Sequence, residues 1–241
     1  MADRPILFSG PMIRALLAGR KTQTRRILKP QPPEWATSCQ QPTMLNALQQ
    51  WVPSGLWAWS EEEQSPPRPL RRWPVNADGE HYWLRPRFSI GDRLYVREHW
   101  RTASVHDKTP PRDLHSKTIV EYVADNDNLT VGKFRQGMHM PRWASRLTLI
   151  VTDVRVERLQ DISEEDAVAE GIFQLERKAW IGGGPLYGLH EGEGHCTAVG
   201  AYNRLWRDIN GDGSWAANPW VCAISFRVIK QNIDQIEKVA A

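Results

Sequence analysis

The chain has 241 residues, 41 % of them hydrophobic and 24 % charged, which is the composition of an ordinary soluble globular protein. Its net charge of only +3 excludes a histone-like protein, so any preference for anions has to come from a local patch. The three cysteines are unevenly spaced, and the start of the chain lacks the apolar core of a signal peptide. No apolar run approaches the roughly 18 residues of a membrane span. The sequence therefore predicts a cytoplasmic protein without a membrane partner.

The first predicted element is a short helix at "SGPMIRALLAG". Ser9 or Gly10 can cap it, Pro11 suits the first helical position, and Gly19 suits the left-handed position that ends a helix. The basic stretch "AGRKTQTRR" therefore begins where this helix stops. Its charges could terminate the helix, grip phosphate or take part in chemistry.

Three stretches are predicted to be insertions with little regular structure, at about 30–87, 101–140 and 172–197. The first is rich in Pro, Trp and polar residues and is expected to hold a hairpin packed by its tryptophans. The second contains a short strand at "TIVEYVAD". The third contains "HEGEGHC", whose side chains are metal-ligand types but whose spacing fits no standard zinc pattern, so neither a metal nor another cofactor is predicted.

Two strands are predicted between these insertions. "IGDRLYVREHW" opens with a Gly-Asp turn and alternates, which puts Glu98 on the apolar face with Trp100. A carboxylate there needs either a structural partner or a role in a site. In "RLTLIVTDVRVERL" the apolar phase slips between Val151 and Val154, which predicts a β-bulge.

A second helix is predicted at "ISEEDAVAEG", with Ser163 as its N-cap and Gly171 as its stop. Glu170 lies in the last turn, where unpaired carbonyls disfavour negative charge. If it is also shielded from water, it could hold a proton and donate it; if it points to solvent, it has no such role. "AVGAYNRLWRDING" predicts a third helix, and "NPWVCAISFRVI" predicts a final strand.

Lys21 and Thr24 are three residues apart in the basic stretch. Neighbouring arginines at 20, 25 and 26 disfavour the ammonium of Lys21 and could lower its pKa towards neutrality. The hydroxyl of Thr24 could then be activated as a nucleophile. A solvated basic loop, or a phosphate clamp without chemistry, explains the same spacing.

"LLAGRKTQTRR", "GDRLYVRE" and "DISEEDAVAEG", in this order, resemble the ASCH family of the PUA-like superfamily. The resemblance covers about half of the chain in separated blocks. It implies one domain over residues 1–241, of the α+β class, with a small β-barrel flanked by helices and long loop insertions. The insertions make the chain similar to the longer ASCH-like proteins of phages and prophages.

The resemblance also implies a function, because relatives in this family include bacterial amidohydrolases that deacetylate N4-acetylcytidine. Carried over by matching positions, Lys21 is the proton acceptor, Thr24 the nucleophile and Glu170 the proton donor. Arg26 or backbone amides would stabilise the oxyanion, and a tryptophan would stack on the base. The predicted substrate-binding residues are Arg20, Arg25, Arg26, Glu98, Trp100, Arg142, Trp143, Asn218 and Trp220.

Two other functions fit the same residues. The family includes non-catalytic binding modules, so the pocket could read RNA or modified DNA, and it includes reported ribonuclease activity. The expected partner is therefore a modified nucleoside or RNA, with modified DNA as a further possibility. A nucleic-acid binder needs a basic groove and should lose affinity steeply with salt, whereas a nucleoside hydrolase needs a closed pocket.

Overall fold

The computed structural model describes residues 2–32, 34, 36–60, 86–125, 132–176, 184–190 and 194–236. Its helices and strands, in chain order, are β1 (Asp3–Leu7), α1 (Gly10–Leu17), β2 (Gln23–Ile27), β3 (Ser38–Gln40), β4 (Thr43–Leu45), β5 (Trp51–Pro53), β6 (Ala58–Ser60), β7 (Arg93–Arg97), β8 (Trp100–Arg101), β9 (Glu121–Tyr122), β10 (Thr148–Arg158), α2 (Glu164–Ala169), β11 (Phe173–Gln174), β12 (Tyr187–Gly188), α3 (Ala198–Asn210) and β13 (Trp220–Ile229). Single 3₁₀ turns lie at Ser104–His106, Pro111–Asp113, Val123–Asp125, Gly137–His139, Arg142–Ala144, Leu159–Asp161 and Asp212–Ser214.

One five-stranded sheet organises the molecule, in the order β1-β7-β10-β13-β2. β1 pairs with β7 in parallel, and the other three pairings are antiparallel. The molecule is therefore an α+β protein, as predicted. Among the described residues the backbone ladder leaves β1 and β2 as open edges, so the predicted barrel is not closed by hydrogen bonds there.

The predicted bulge is present in β10. Val151 pairs with Phe226 and Asp153 pairs with Ser225, so one residue of β10, Thr152, has no partner on β13. The extra residue returns Val154 to the buried face that Val151 occupies. The slip in the apolar pattern thus follows directly from keeping the core side chains on one face.

α1 begins and ends where its sequence predicts. Ser9 is the N-cap, although its side chain makes no capping hydrogen bond, and Pro11 lies in the first turn. Gly19 has φ +72°, the left-handed conformation that glycine adopts without a Cβ penalty. The face of α1 that carries Ile13 and Leu16 is buried against the sheet in the main core.

α2 and α3 pack on the opposite side of β13. The Ser163 hydroxyl accepts a hydrogen bond from the amide of Asp166 (3.1 Å), which caps α2 as predicted. A second core cluster joins α2 and α3 through Ala167, Tyr202 and Trp206. Since Val221 of β13 belongs to this cluster while the residues on either side of it belong to the main core, β13 is buried on both faces.

The insertions hold short ladders of their own. β3 pairs with β6 and β4 with β5, so the predicted hairpin is present as two nested antiparallel pairs. Trp57 and Trp59 are buried as expected, whereas Trp51 is 69 % exposed. The basic "RPLRRW" segment at 68–73 lies outside the described residues. The strand predicted at "TIVEYVAD" is only the two residues of β9, paired with β8.

None of the helices in the described ranges is long and apolar enough to cross a membrane.

Candidate active site

The basic stretch is held between the ends of two helices. The Lys21 amide donates to the carbonyl of Ala15 in α1 (3.2 Å), and the Thr22 amide donates to the carbonyl of Ala169 at the end of α2 (2.8 Å). These backbone bonds bring the C-terminal ends of α1 and α2 to one point. They turn the Lys21 side chain inward, and it is completely buried.

Lys21 and Glu170, 149 residues apart, meet in this interior. Lys21 Nζ lies 2.6 Å from Glu170 Oε2 and also donates to the Glu170 carbonyl at 2.8 Å. Glu170 is 2 % exposed. Burial lowers the pKa of Lys21 from its ordinary value, and the nearby arginines add to this, while the carboxylate of Glu170 opposes it. The burial of Glu170 excludes the alternative in which its side chain points to solvent.

The second oxygen of Glu170 faces two further donors. Arg25 Nη1 and the Tyr202 hydroxyl each lie 3.4 Å from Glu170 Oε1. Burial raises the pKa of Tyr202 well above its ordinary value, so its hydroxyl stays protonated. Tyr202 was not among the predicted site residues, because helical spacing alone marks it only as a buried side chain.

Arg25 has the contacts of a structural residue rather than of a substrate-binding one. Its guanidinium is fully buried and lies 2.6 Å from Glu157 and 2.7 Å from Asp166. Arg155 binds the same carboxylate of Asp166 at 2.9 Å. The prediction that Arg25 binds substrate therefore lacks support, since its donors are occupied by three carboxylates.

Thr24 lines a small cavity of about 50 Å³ together with Glu170, Arg26 and Tyr202. The Thr24 hydroxyl has no hydrogen-bond partner among the described residues, and Lys21 donates to Glu170 instead. The cavity thus brings a hydroxyl, a carboxyl group, a guanidinium and a phenol together.

The small cavity adjoins a cleft of about 700 Å³ that runs between the two edge strands of the sheet. The two spaces share Met12, Arg26, Ile27, Ile209 and Asn210. Arg26 Nη2 donates to the carbonyl of Leu7 at the end of β1 (2.8 Å), so the Arg26 side chain connects the edge strands β1 and β2. Of the predicted binding residues, Arg25 and Arg26 line the small cavity, and only Arg26 has a guanidinium that is not paired with carboxylates of the described residues.

Glu98 and Trp100 lie elsewhere. Arg146 binds both carboxylate oxygens of Glu98, at 2.9 and 3.0 Å, which gives Glu98 the structural partner that one of the two sequence interpretations required. Trp100 has no exposed surface and packs in a third core cluster with Leu114 and Met140. A tryptophan buried in this way offers no face on which a base can stack.

The remaining predicted binding residues also have structural contacts. Arg142 lies 2.6 Å from both Asp3 and Asp234, and Trp143 packs against the third cluster. Trp220 is 4 % exposed in the main core. The side-chain oxygen of Asn218 accepts from the amide of Gln160 (2.9 Å). Arg20 donates to the Gly171 carbonyl (3.1 Å) and covers the ring of Phe173.

No group of three or more metal-ligand side chains comes together within the described ranges. Of the "HEGEGHC" segment, His190, His195 and Cys196 belong to those ranges, while Glu191 and Glu193 lie outside them.

Comparisons with models of protein families, with curated proteins and with solved structures found no match for this chain. Any assignment of function therefore depends on the chemistry of the residues around Glu170.

Proposed function

We propose that the protein is an amidohydrolase that removes the acyl group from N4-acetylcytidine or a related modified nucleoside. The observation that carries this proposal is the buried contact of 2.6 Å between Lys21 Nζ and Glu170 Oε2, because Glu170 lines the same small cavity as Thr24. A proton acceptor, a nucleophile and a proton donor are the three groups that amide hydrolysis needs.

The Lys21–Glu170 pair can supply both proton-transfer roles. An ammonium–carboxylate pair and an amine–carboxylic acid pair hold the same number of protons, and a single transfer along the hydrogen bond interconverts them. Burial penalises the charged form, as the lowered pKa of Lys21 reflects. The pair can therefore present a neutral amine as base and a protonated Glu170 as acid without exchanging protons with water.

In the first half of the reaction Thr24 Oγ1 attacks the acyl carbonyl carbon and gives its proton to Lys21. Glu170 gives its proton to N4, the carbon–nitrogen bond breaks, and cytidine leaves with its amine restored. Arg26 lies at the same cavity, is paired with no carboxylate within the described ranges, and can bind the oxyanion. In the second half, water attacks the acyl-threonine, gives a proton to Glu170 and releases the carboxylic acid. Lys21 then returns its proton to Thr24.

The cleft also contains a thiol, Cys222, but this group is a poor nucleophile. Burial raises its pKa to about 12, so the reactive thiolate is nearly absent at neutral pH. Thr24 is the better candidate because its activation does not require a preformed anion.

We also propose that the chain has the PUA-like barrel of the ASCH family that it resembles. Arg26 of β2 reaches the carbonyl of Leu7 in β1, which supports a sheet curved far enough for its edges to approach each other. Closure of a barrel around the cleft would bring β1 and β2 nearer still.

The test measures acid release and cytidine formation from N4-acetylcytidine by wild type, Thr24→Val and Glu170→Gln. Each variant should lose about 10²-fold or more in kcat/KM. Two matched controls should retain activity: Thr102→Val, a buried threonine whose hydroxyl has no hydrogen-bond partner among the described residues, and Glu98→Gln, a buried glutamate paired with Arg146. Absence of turnover by folded wild type would reject the hydrolase and favour the non-catalytic reader.

A further inference from the structure

Two cations of the large cleft, Lys29 and Arg87, have no role in the proposed reaction. Lys29 and Arg87 line it and are exposed, and Arg26 stands where it meets the small cavity. Neither Lys29 nor Arg87 forms an ion pair with any residue that the structure describes. None of the described residues lining the cleft is Asp or Glu.

The described residues that line the cleft therefore do not compensate this charge. Burial lowers the pKa of Arg26, the charges of Glu170 and Tyr202 oppose this effect, and the charge of Arg87 lowers the pKa further, so Arg26 and Arg87 lie in one field. The walls include the buried rings of Phe8 and Phe88, which reduce the access of water to that field. Cations beside low-dielectric walls attract anions more strongly than cations on an open surface.

The sizes of the two spaces decide where the parts of a substrate lie. About 50 Å³ holds little more than a water-sized group, so it suits the reacting acyl amide at most. About 700 Å³ is the volume of an ordinary ligand site, and the sugar of a bound nucleoside must lie there. Substituents on that sugar then face Lys29 and Arg87.

We infer that the cleft binds a phosphate ester on the ribose of the substrate. The substrate is then a nucleotide, free or within a strand, rather than an unphosphorylated nucleoside. Lys29 and Arg87 hold the phosphate by charge-assisted hydrogen bonds, and Arg26 separates this contact from the reacting amide. The identity of the base rests on the proposed function, whereas the phosphate contact does not require turnover.

Binding is measured by calorimetry with cytidine, cytidine 5′-phosphate, cytidine 3′-phosphate and a five-residue oligocytidylate. Wild type should bind at least one phosphorylated probe about tenfold more tightly than cytidine. Lys29→Glu/Arg87→Glu should lose this preference and keep its affinity for cytidine. Lys108→Glu/Lys117→Glu, which makes the same charge change at exposed sites that do not line the cleft, should behave as wild type.

A preference for a monophosphate identifies a nucleotide, and a preference for the oligocytidylate alone identifies a strand. Equal binding of cytidine and all phosphorylated probes, or no binding of any phosphorylated probe, overturns the inference. So does a preference that survives in Lys29→Glu/Arg87→Glu. If wild type releases no acid from N4-acetylcytidine but keeps the phosphate preference, the proposed reaction fails while the phosphate site stands.

Discussion

Lys21 and Glu170 form an ion pair in the interior of the protein. Both side chains are buried, and Lys21 Nζ makes its two hydrogen bonds to Glu170. Desolvation of each group opposes the attraction between them, so the pair contributes little net stability compared with two apolar residues. Loss of Glu170, however, leaves the buried Lys21 without its counter-charge, and loss of Lys21 leaves Glu170 with only the more distant Arg25 at 3.4 Å.

The two single variants should therefore lose more stability in sum than the double variant loses. Lys21→Met and Glu170→Gln should each lower the free energy of unfolding by about 3 kcal/mol or more. The double variant should lose about 1–3 kcal/mol less than the sum of the single losses, because no unpaired charge remains. Urea unfolding of the four proteins measures this coupling.

A distant pair provides the control for this comparison. Lys21→Met combined with Thr102→Val should show additive losses, since the Thr102 hydroxyl forms no hydrogen bond with either member of the ion pair. Additive losses for Lys21→Met and Glu170→Gln themselves would contradict the interpretation of the contact as a tight buried pair.

At the scale of secondary-structure elements, the site depends on how closely α1 and α2 approach each other at their ends. Gly171, which follows the end of α2, has φ +106°, a conformation that side chains rarely adopt. A Cβ atom there would lie 3.1 Å from the Cβ of Ala15 and 3.4 Å from the Cβ of Lys21. Glycine is thus required both by the backbone conformation and by the close packing of Ala15 and Lys21 against this position.

Gly171→Ala should lower the free energy of unfolding by about 1–3 kcal/mol and should also reduce kcat, because the new methyl group displaces Lys21. Gly19→Ala is the matched control: Gly19 has φ +72°, but a Cβ there would meet no atom within 4 Å. It should cost about 1 kcal/mol and leave kcat unchanged. Thermal unfolding and steady-state kinetics measure both effects, and equal loss of kcat in the two variants would reject the packing argument.

At the scale of the whole molecule, an ion-pair network connects the first strand to the turn after the last strand. Asp3 in β1 binds Arg93 at 2.7 Å and Arg142 at 2.6 Å, and Arg142 also binds Asp234. Hydrogen bonds from Arg93, and then from Arg142, lower the pKa of Asp3 to about 2, against the opposing effect of its burial. The network connects edge strand β1 to Arg142, which lies 139 positions away along the chain, and through Arg142 to Asp234.

The lowered pKa makes the stability of the protein depend on pH in a known direction. The folded pKa of Asp3 lies below its ordinary value of 3.8, so its contribution to stability is present above about pH 4 and is lost as pH falls towards 2. Asp3→Asn should lower the free energy of unfolding by about 1–2 kcal/mol at pH 7 and by much less at pH 2. Asp113→Asn, at an exposed 3₁₀ turn, should show no such difference. Urea unfolding at the two pH values measures both variants, and a pH-independent loss for Asp3→Asn would contradict the assignment.

Local sequence determined the features that depend on neighbouring residues. The cap at Ser163, the left-handed stop at Gly19 and the bulge at Thr152 were all predictable, because each follows from backbone conformation or from the two-residue period of a strand. The resemblance to a known family pointed to Lys21 and Glu170, but spacing along the chain could not show that they meet.

Only the tertiary structure decided which polar side chains belong to the site. Glu98 pairs with Arg146, 48 residues away, and Arg25 pairs with Glu157, 132 residues away, so both are occupied before a substrate arrives. Tyr202 reaches Glu170 because α3 packs against α2 on one side of β13. A charged or aromatic residue has the same local pattern whether it faces a cleft or a buried partner. The difference lies in contacts between distant segments, which depend on the pairing and packing of the whole sheet.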